Sequence, residues 1–332
     1  MIRTVLILLL IAGFYPAYSQ GALSGERYRV VISSDIGGSD DDDIQSFIHY
    51  LVYSDLFDTQ GLISSPPDKG RAKDFLRVID VYARDYPALS SHSPGYPRPD
   101  SLRAVVVQGA LEPAPDSGYS APTAGSEWLI RCARKADGRP LYVLVWGSIT
   151  DLAQALHDAP DIKEVIRVYF IASWNRLQDE HAFAYIEHNH PDLWIIQCET
   201  TFRGWFAGGV QDNDWGNRTF VNTCIKGHGA LGDLFAPLKD NSIKMGDTPS
   251  VAWLLHGNPA DPSSPSWGGQ FIKHPDRPNW WIDNPDPKLA EGNYPGAVTV
   301  NKWRKDYLSD WRRRMDRCLP PPKIIESKDK DR

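Results

Sequence analysis

The stretch Val30-Val31-Ile32-Ser33-Ser34-Asp35-Ile36-Gly37-Gly38-Ser39-Asp40-Asp41-Asp42-Asp43-Ile44-Gln45-Ser46-Phe47 sets the frame for the whole chain. Its short β-branched opening reads as a strand. Beyond the glycine pair, Ile44, Phe47, Ile48, Leu51 and Val52 recur at i, i+3, i+4, i+7 and i+8, the stripe of a packed helix face. Strand, glycine turn and helix therefore follow one another, which puts Asp35 at the carboxyl end of a strand and Asp42 and Asp43 in the first turn of a helix. Open α/β sheets bind their ligands at that edge. Five carboxylates fall on one small patch.

Like charges held that close repel unless they point apart into water or share a cation. The helix dipole relieves only roughly 0.3–1 kcal/mol per carboxylate, too little to hold three charges around one point. A divalent ion supplies the missing counter-charge, and hard oxygen ligands on a loop favour Ca²⁺ or Mg²⁺ over zinc. The competing reading is a solvated acidic helix cap. An EF-hand is excluded because the flanks are strand and helix, with no closing Glu at the required distance. A phosphate-cradling loop is excluded because no Lys follows the glycines.

Outward from this stretch, strand-like runs at Tyr28 to Ser34, Thr59 to Ser65, Arg103 to Gln108, Leu141 to Trp146, Val165 to Ile171 and Leu193 to Gln197 alternate with helical stretches at Arg71 to Tyr86, Glu127 to Ala136 and Thr150 to His157. Such alternation predicts an α/β fold with a mostly parallel sheet flanked by helices. From Thr201 the periodicity gives way to Gly-, Pro- and Trp-rich sequence, expected to form long loops over the carboxyl edge, with helices around Pro249 to His256 and Lys302 to Arg314. No composition break marks a second domain, so residues 25–318 read as one domain and 319–332 as a disordered tail. Residues 1–19 carry Arg3 as their only charge, then the apolar run Val5 to Ala12 and the small-x-small site Ala17-Tyr18-Ser19, the pattern of a cleavable signal peptide. The mature protein is expected to be soluble and secreted or periplasmic, since that run is too short to span a bilayer.

The net charge of −6 argues against nucleic acid or an anionic membrane as partner. Twelve Trp residues suit either sugar stacking or the anchoring of long loops. Cys132, Cys198, Cys224 and Cys318 have no metal-ligand spacing; three full disulfide pairings are open, and Cys198, in an apolar run, reads as a buried thiol.

Asp35-Ile36-Gly37-Gly38 followed by Asp42-Asp43-Ile44-Gln45-Ser46-Phe47 resembles the opening signature of the nucleoside-hydrolase-like superfamily, and more closely its cellulose-binding, nucleoside hydrolase-like branch. The resemblance implies that Asp35 and an Asp pair hold Ca²⁺, with one of the pair activating the attacking water. Asp42 and Asp43 align as that pair because Gln45-Ser46 follows, while Asp40 or Asp41 stays open as a partner. Leu144 to Ala153 resembles the segment whose residue before the glycine, here Trp146, offers its carbonyl to calcium. Gly246-Asp247-Thr248-Pro249-Ser250 resembles the segment supplying the last calcium carboxylate, Asp247. Ala172-Ser173-Trp174-Asn175-Arg176 resembles a ribose-binding loop, with Asn175 on the sugar diol. Thr201 to Gly204, Asp214 to Asn217, Gly227 to Asp233, Pro265 to Gly269 and Thr299 to Arg304 resemble the branch rather than the nucleoside hydrolases proper, so the likeness covers nearly the whole mature chain.

One departure stands out. The His that precedes the last calcium Asp in nucleoside hydrolases is replaced by Gly246, and His228 or His181 are leaving-group candidates by residue type alone. The expectation is a Ca²⁺-dependent hydrolase of N- or O-glycosidic bonds to a furanose-like sugar, with Asp42 as general base and Trp174 or Trp215 stacking on the leaving group. The alternative is a non-catalytic, calcium-assisted carbohydrate-binding protein. A two-metal phosphoesterase is disfavoured, because none of the nine His falls at ligand spacing with these Asp residues. The partner is expected to be a small glycoside or carbohydrate, and homo-oligomerisation is left open.

Overall fold

Residues alternate between the two faces of every central strand, and each face is buried under its own helix layer. On one face, Val30 and Ile32 of β1 (Tyr28–Ser34) pack with Tyr142 and Leu144 of the neighbouring strand; Val31 points to the opposite layer with Val143 and Val145. Two-sided burial of this kind is the condition for a parallel sheet. A computed structural model describes residues 27–320. The expected signal sequence and the tail beyond Pro320 lie outside the described residues.

The remaining strands are β2 (Phe57–Ser64), β3 (Val106–Gln108), β4 (Leu141–Val145), β5 (Ile166–Ile171), β6 (Ile195–Cys198), β7 (Phe271–Lys273) and β8 (Trp280–Asp283). They form one sheet in the order β3-β2-β1-β4-β5-β6-β8-β7, parallel except for the antiparallel edge pair β7–β8. The chain grows from β1 toward β3, then returns to place β4 on β1's other side. The sheet therefore reverses direction between β1 and β4, and a crevice opens at the carboxyl ends of strands at such a reversal.

The α/β expectation holds, with local differences. The run expected as one strand from Arg103 begins as a helical turn, Pro99–Arg103, because Pro99 at its first position presets the helical φ and Leu102 is buried beneath it; the strand starts at Val106. Besides the two expected helices, which appear as Thr248–Leu255 and Arg304–Asp316, the stretch after Thr201 contains β7 and β8. Three or four residues are too few to show a period. Those strands are fixed instead by pairing Ile195 with Trp280 and Ile196 with Trp281, and by Trp280 Nε1 donating to Gln197 Oε1 at 2.9 Å. The Trp question resolves mostly toward anchoring: Trp146, Trp205, Trp253, Trp280 and Trp311 are fully buried, and Trp174 alone is widely exposed, at 63%. All four cysteines are buried free thiols, Cys198 among them.

Helix α1 (Asp42–Val52) buries His49 among the rings of Tyr53, Trp205 and Trp311, with no hydrogen-bond partner for Nδ1. Burial, aided by the charge of Arg314, pushes its pKa down to about 3. The folded protein thus resists protonating His49 while the unfolded chain accepts a proton near pH 6.5, so this contribution to stability is present above that pH and is lost as pH falls toward 3. Between pH 6.5 and 5 the loss from this residue should be roughly 2 kcal/mol, at 1.36 kcal/mol per unit. Urea midpoints at the two pH values should fall less for His49→Leu than for wild type, and equal falls would remove His49 as the cause.

Candidate metal centre and cavity

Three chain segments bring their acidic groups to the β1–β4 reversal. Asp35 follows β1 directly, and the turn that closes with Gly38 N donating to Asp35 O at 2.9 Å leads the chain toward α1, whose first turn carries Asp42 and Asp43. Asp247 immediately precedes the helix Thr248–Leu255. That helix is tied to the end of β4, because Trp146 Nε1 donates to Ser250 Oγ at 2.7 Å and Ser250 Oγ donates to Asp247 O at 2.6 Å. Gly147 lets the chain after β4 press on Asp35: a Cβ there would lie 2.7 Å from Asp35 N and 2.8 Å from Ser65 Oγ, so a side chain would force the two segments apart. A cavity of about 390 Å³ opens above this floor, lined by Asp35, Asp42, Asp43, Trp146, Asp247 and the loop Ala172 to Asn175.

Asp43 and Asp247 are buried, while Asp35 and Asp42 are partly exposed to the cavity. All four carboxyls are pushed above the ordinary carboxylate range, first by burial and then by neighbouring carboxylate charge: Asp35 to about 8, with Asp42 beside it; Asp42 to about 6, with Asp40 beside it; Asp43 and Asp247 well upward, by the other floor carboxylates. Buried charges of one sign with no counter-charge are strongly disfavoured, so this floor suits a hard cation. Asp247 Oδ2 is buried without a hydrogen-bond partner, an orphaned oxygen of the kind a bound cation would satisfy. The side chains do not close into a finished shell: among the described residues no three acidic, His or Cys groups stand around one point. Repulsion accounts for that splay, with Asp43 leaning onto the Ser34 hydroxyl. In type, oxygen donors from four carboxyl groups and a backbone carbonyl, the residues fit a hard cation such as calcium.

Asp40 stands apart from the floor. Lys239 reaches it at 2.6 Å and Lys244 bonds its other oxygen; burial raises its pKa, but the lysines outweigh that and hold it below the usual carboxylate range. Asp41 is exposed. Of the alternatives for the pair, Asp42 raises the pKa of both Asp35 and Asp247 by its charge, and Asp43 is raised in turn by Asp247, Asp35 and Asp42; Asp40 also acts on Asp247 but is bonded to two lysines.

The other sequence candidates divide. Trp174 lines the cavity mouth. Asn175 lines it too, but both amide hydrogens are spent on backbone, donating to Trp146 O and Ile171 O at 3.0 Å each, so it cannot donate to a sugar diol; Oδ1 stays as an acceptor. Its first bond orients the Trp146 carbonyl, whose second lone pair is left for a metal. Trp215 is not at the cavity: it packs against the core, and its carbonyl accepts from Arg304 Nε at 2.8 Å. His228 is also elsewhere, 3.3 Å from Asp316 on the helix Arg304–Asp316, and His181 sits 3.4 Å from Asp116. Neither lines the cavity, and no other His does. At Gly246 a Cβ would stand 3.1 Å from Asp42 Oδ2 and 3.5 Å from the Phe202 ring, so a larger residue here would crowd Asp42. Sequence reasoning gave no site role to the lining residues Asp68, Phe202, Arg203 and Lys244: Asp68 and Lys244 lie outside helices and strands, and Phe202 and Arg203 in the short 3-10 helix Thr201–Trp205, none of which carries a periodic signal.

The search of curated proteins gives no match. Among solved structures, a nucleoside hydrolase-related protein from Saccharophagus degradans, described as associated with carbohydrate metabolism, is 25% identical with a TM-score of 0.70, covering 89% of this chain and 72% of that one. The effector protein XOO4466 (10% identity, TM-score 0.54, 89% and 94% covered) and the type III effector XopQ in complex with adenosine diphosphate ribose (11%, 0.52, 88% and 94%) share the fold. The family described as "Cellulose-binding Sde182, nucleoside hydrolase-like domain" matches residues 29–271, most of the chain, and the chain belongs to this family.

Proposed function

We propose that the protein is a secreted or periplasmic hydrolase of N- or O-glycosidic bonds to a furanose-like sugar, dependent on calcium held by Asp35, Asp42, Asp43, Asp247 and the carbonyl of Trp146. The observation that carries this reading is the meeting of four carboxylates from two distant segments, with Trp146 from a third, in the lining of one cavity at the sheet's reversal point. Calcium at that floor supplies positive charge that acidifies a water and orients vicinal hydroxyls. Asp42, partly open to the cavity, accepts the proton of the attacking water. Asn175 Oδ1 accepts from a sugar hydroxyl, and Trp174 stacks on the leaving group or the sugar ring at the mouth. The carbohydrate association of the Saccharophagus degradans protein is consistent with such a substrate.

No His lines the cavity, so no residue of the usual kind is placed to protonate a leaving group. That same observation favours the second reading, a calcium-assisted carbohydrate-binding protein without turnover. The two part on one substrate. A hydrolase lacking a strong acid should cleave p-nitrophenyl β-D-riboside, whose leaving group needs little protonation, faster than inosine or uridine. Nitrophenolate release no greater than in a chelator-treated control, from mildly acidic to mildly alkaline pH, would favour the binding protein.

A further inference from the structure

Two cations line the cavity, and only one of them is paired with a carboxylate. Lys244 is bound to Asp40, whereas Arg203 enters no ion pair among the described residues. Its guanidinium is held by stacking, with Cζ 4.8 Å from the Phe202 ring centroid and 5.0 Å from that of Tyr294, and by Nη2 donating to Ser173 Oγ at 3.1 Å. Ser173 itself has a left-handed φ of 42° and is fixed by its backbone N–H donating to Glu199 Oε2 at 2.8 Å. The fork is thus set in place by two rings and a rigid turn, with one hydrogen bond made and its other donors without a protein acceptor. Phe202 also approaches Gly246, which abuts Asp42, so the guanidinium sits one aromatic ring away from the carboxylate floor.

A planar, always-charged group with five fixed donors, stacked and left without a carboxylate, is built to receive an oxyanion in bidentate fashion. We infer that Arg203 binds an anionic substituent, a phosphate or carboxylate, of the sugar substrate, so that the preferred ligand is a charged furanoside rather than a neutral nucleoside. This rests on the reading of the cavity as a sugar site. The floor cannot take that role, because its carboxylates repel an anion, and Lys244 is less suited than Arg203, because it is bonded to Asp40 and lies in the field of Asp42, so an anion there would meet two carboxylates.

The test is isothermal titration of the purified protein, in calcium, with D-ribose, D-ribose 5-phosphate and the corresponding C5 uronate, for wild type, Arg203→Met and Arg203→Lys. Wild type should bind one of the anionic sugars about 10–100-fold more tightly than ribose, as a charge-assisted pair gives; whichever anion is preferred identifies the substituent. Arg203→Met should erase that preference with ribose affinity unchanged, the unchanged ribose binding also reporting that the variant folds. Arg203→Lys should keep part of it, since charge remains and the fork does not. Equal binding of neutral and anionic sugars by wild type overturns the inference and leaves the sugar site standing. A preference that survives Arg203→Met puts the anion on another cation of the cavity, Lys244 or a bound metal, and likewise overturns it. Failure of all three sugars to bind overturns the sugar site and the inference together.

Discussion

Asp42→Asn should lower turnover of p-nitrophenyl β-D-riboside by about 10²–10⁴-fold, the range that a positioned general base contributes. The substitution keeps an oxygen at the same place, since Asn presents a carbonyl where the carboxylate stood, and removes the capacity to take a proton together with one negative charge, whose effect on calcium affinity saturating metal offsets. Asp42 suits the role because it is partly open to the cavity, whereas Asp43 is buried and engaged by Ser34. The same substitution at Asp43 should act differently, raising the calcium concentration needed for activity and leaving the rate at saturating calcium closer to wild type. Titrating calcium for both variants separates the roles. If excess calcium restores Asp42→Asn to the wild-type rate, Asp42 is a ligand only, and the base lies elsewhere.

Calcium should raise the melting temperature by several degrees over the protein in chelator. Binding to the folded state alone stabilises by about 2.7 kcal/mol when free metal is 100 times its dissociation constant. A chain of this size moves by about 2–4 °C per kcal/mol or somewhat less. The physical source is the crowded floor, where the carboxylates raise one another's pKa values until a cation relieves them. Asp35→Asn should lose most of the calcium-dependent shift and yet melt in chelator at the wild-type temperature or above, since one repelling charge is gone. Asp40→Asn should keep the calcium response, because Asp40 is turned to Lys239 and Lys244. Identical melting of wild type in chelator and in millimolar calcium, with no metal found by elemental analysis, would reduce the acidic run to a helix cap.

Both experiments depend on residues that a linear reading found with unequal success. Asp35, Asp42 and Asp43 lie within nine residues of one another in a strand–turn–helix unit, so local pattern alone puts them together. Trp215 and His228 were chosen by residue type, and type says nothing about which side of the fold a loop covers. Trp215 turned out to pack against the core beside Arg304, and His228 to meet Asp316. Asn175 lines the cavity, but its amide donors go to the carbonyls of Trp146 and Ile171, leaving only Oδ1 toward a ligand, and the sequence does not display hydrogen-bond partners.

Hydrophobic period, glycine turns and β-branched runs are properties of neighbouring residues, and for that reason the sequence by itself determined the α/β alternation, the extent of β1, the start of α1 and the three-Asp core of the acidic patch. What pairs with what is decided by contacts between segments far apart. Only the tertiary structure set β4 beside β1, brought Trp146 and Asp247 to Asp35, added the short strands Phe271–Lys273 and Trp280–Asp283 to the sheet edge, and left Arg203 stacked over the cavity while its neighbour Lys244 was paired with Asp40. The reason is that strand order and loop placement are fixed by burial summed over the whole chain, which no local window contains.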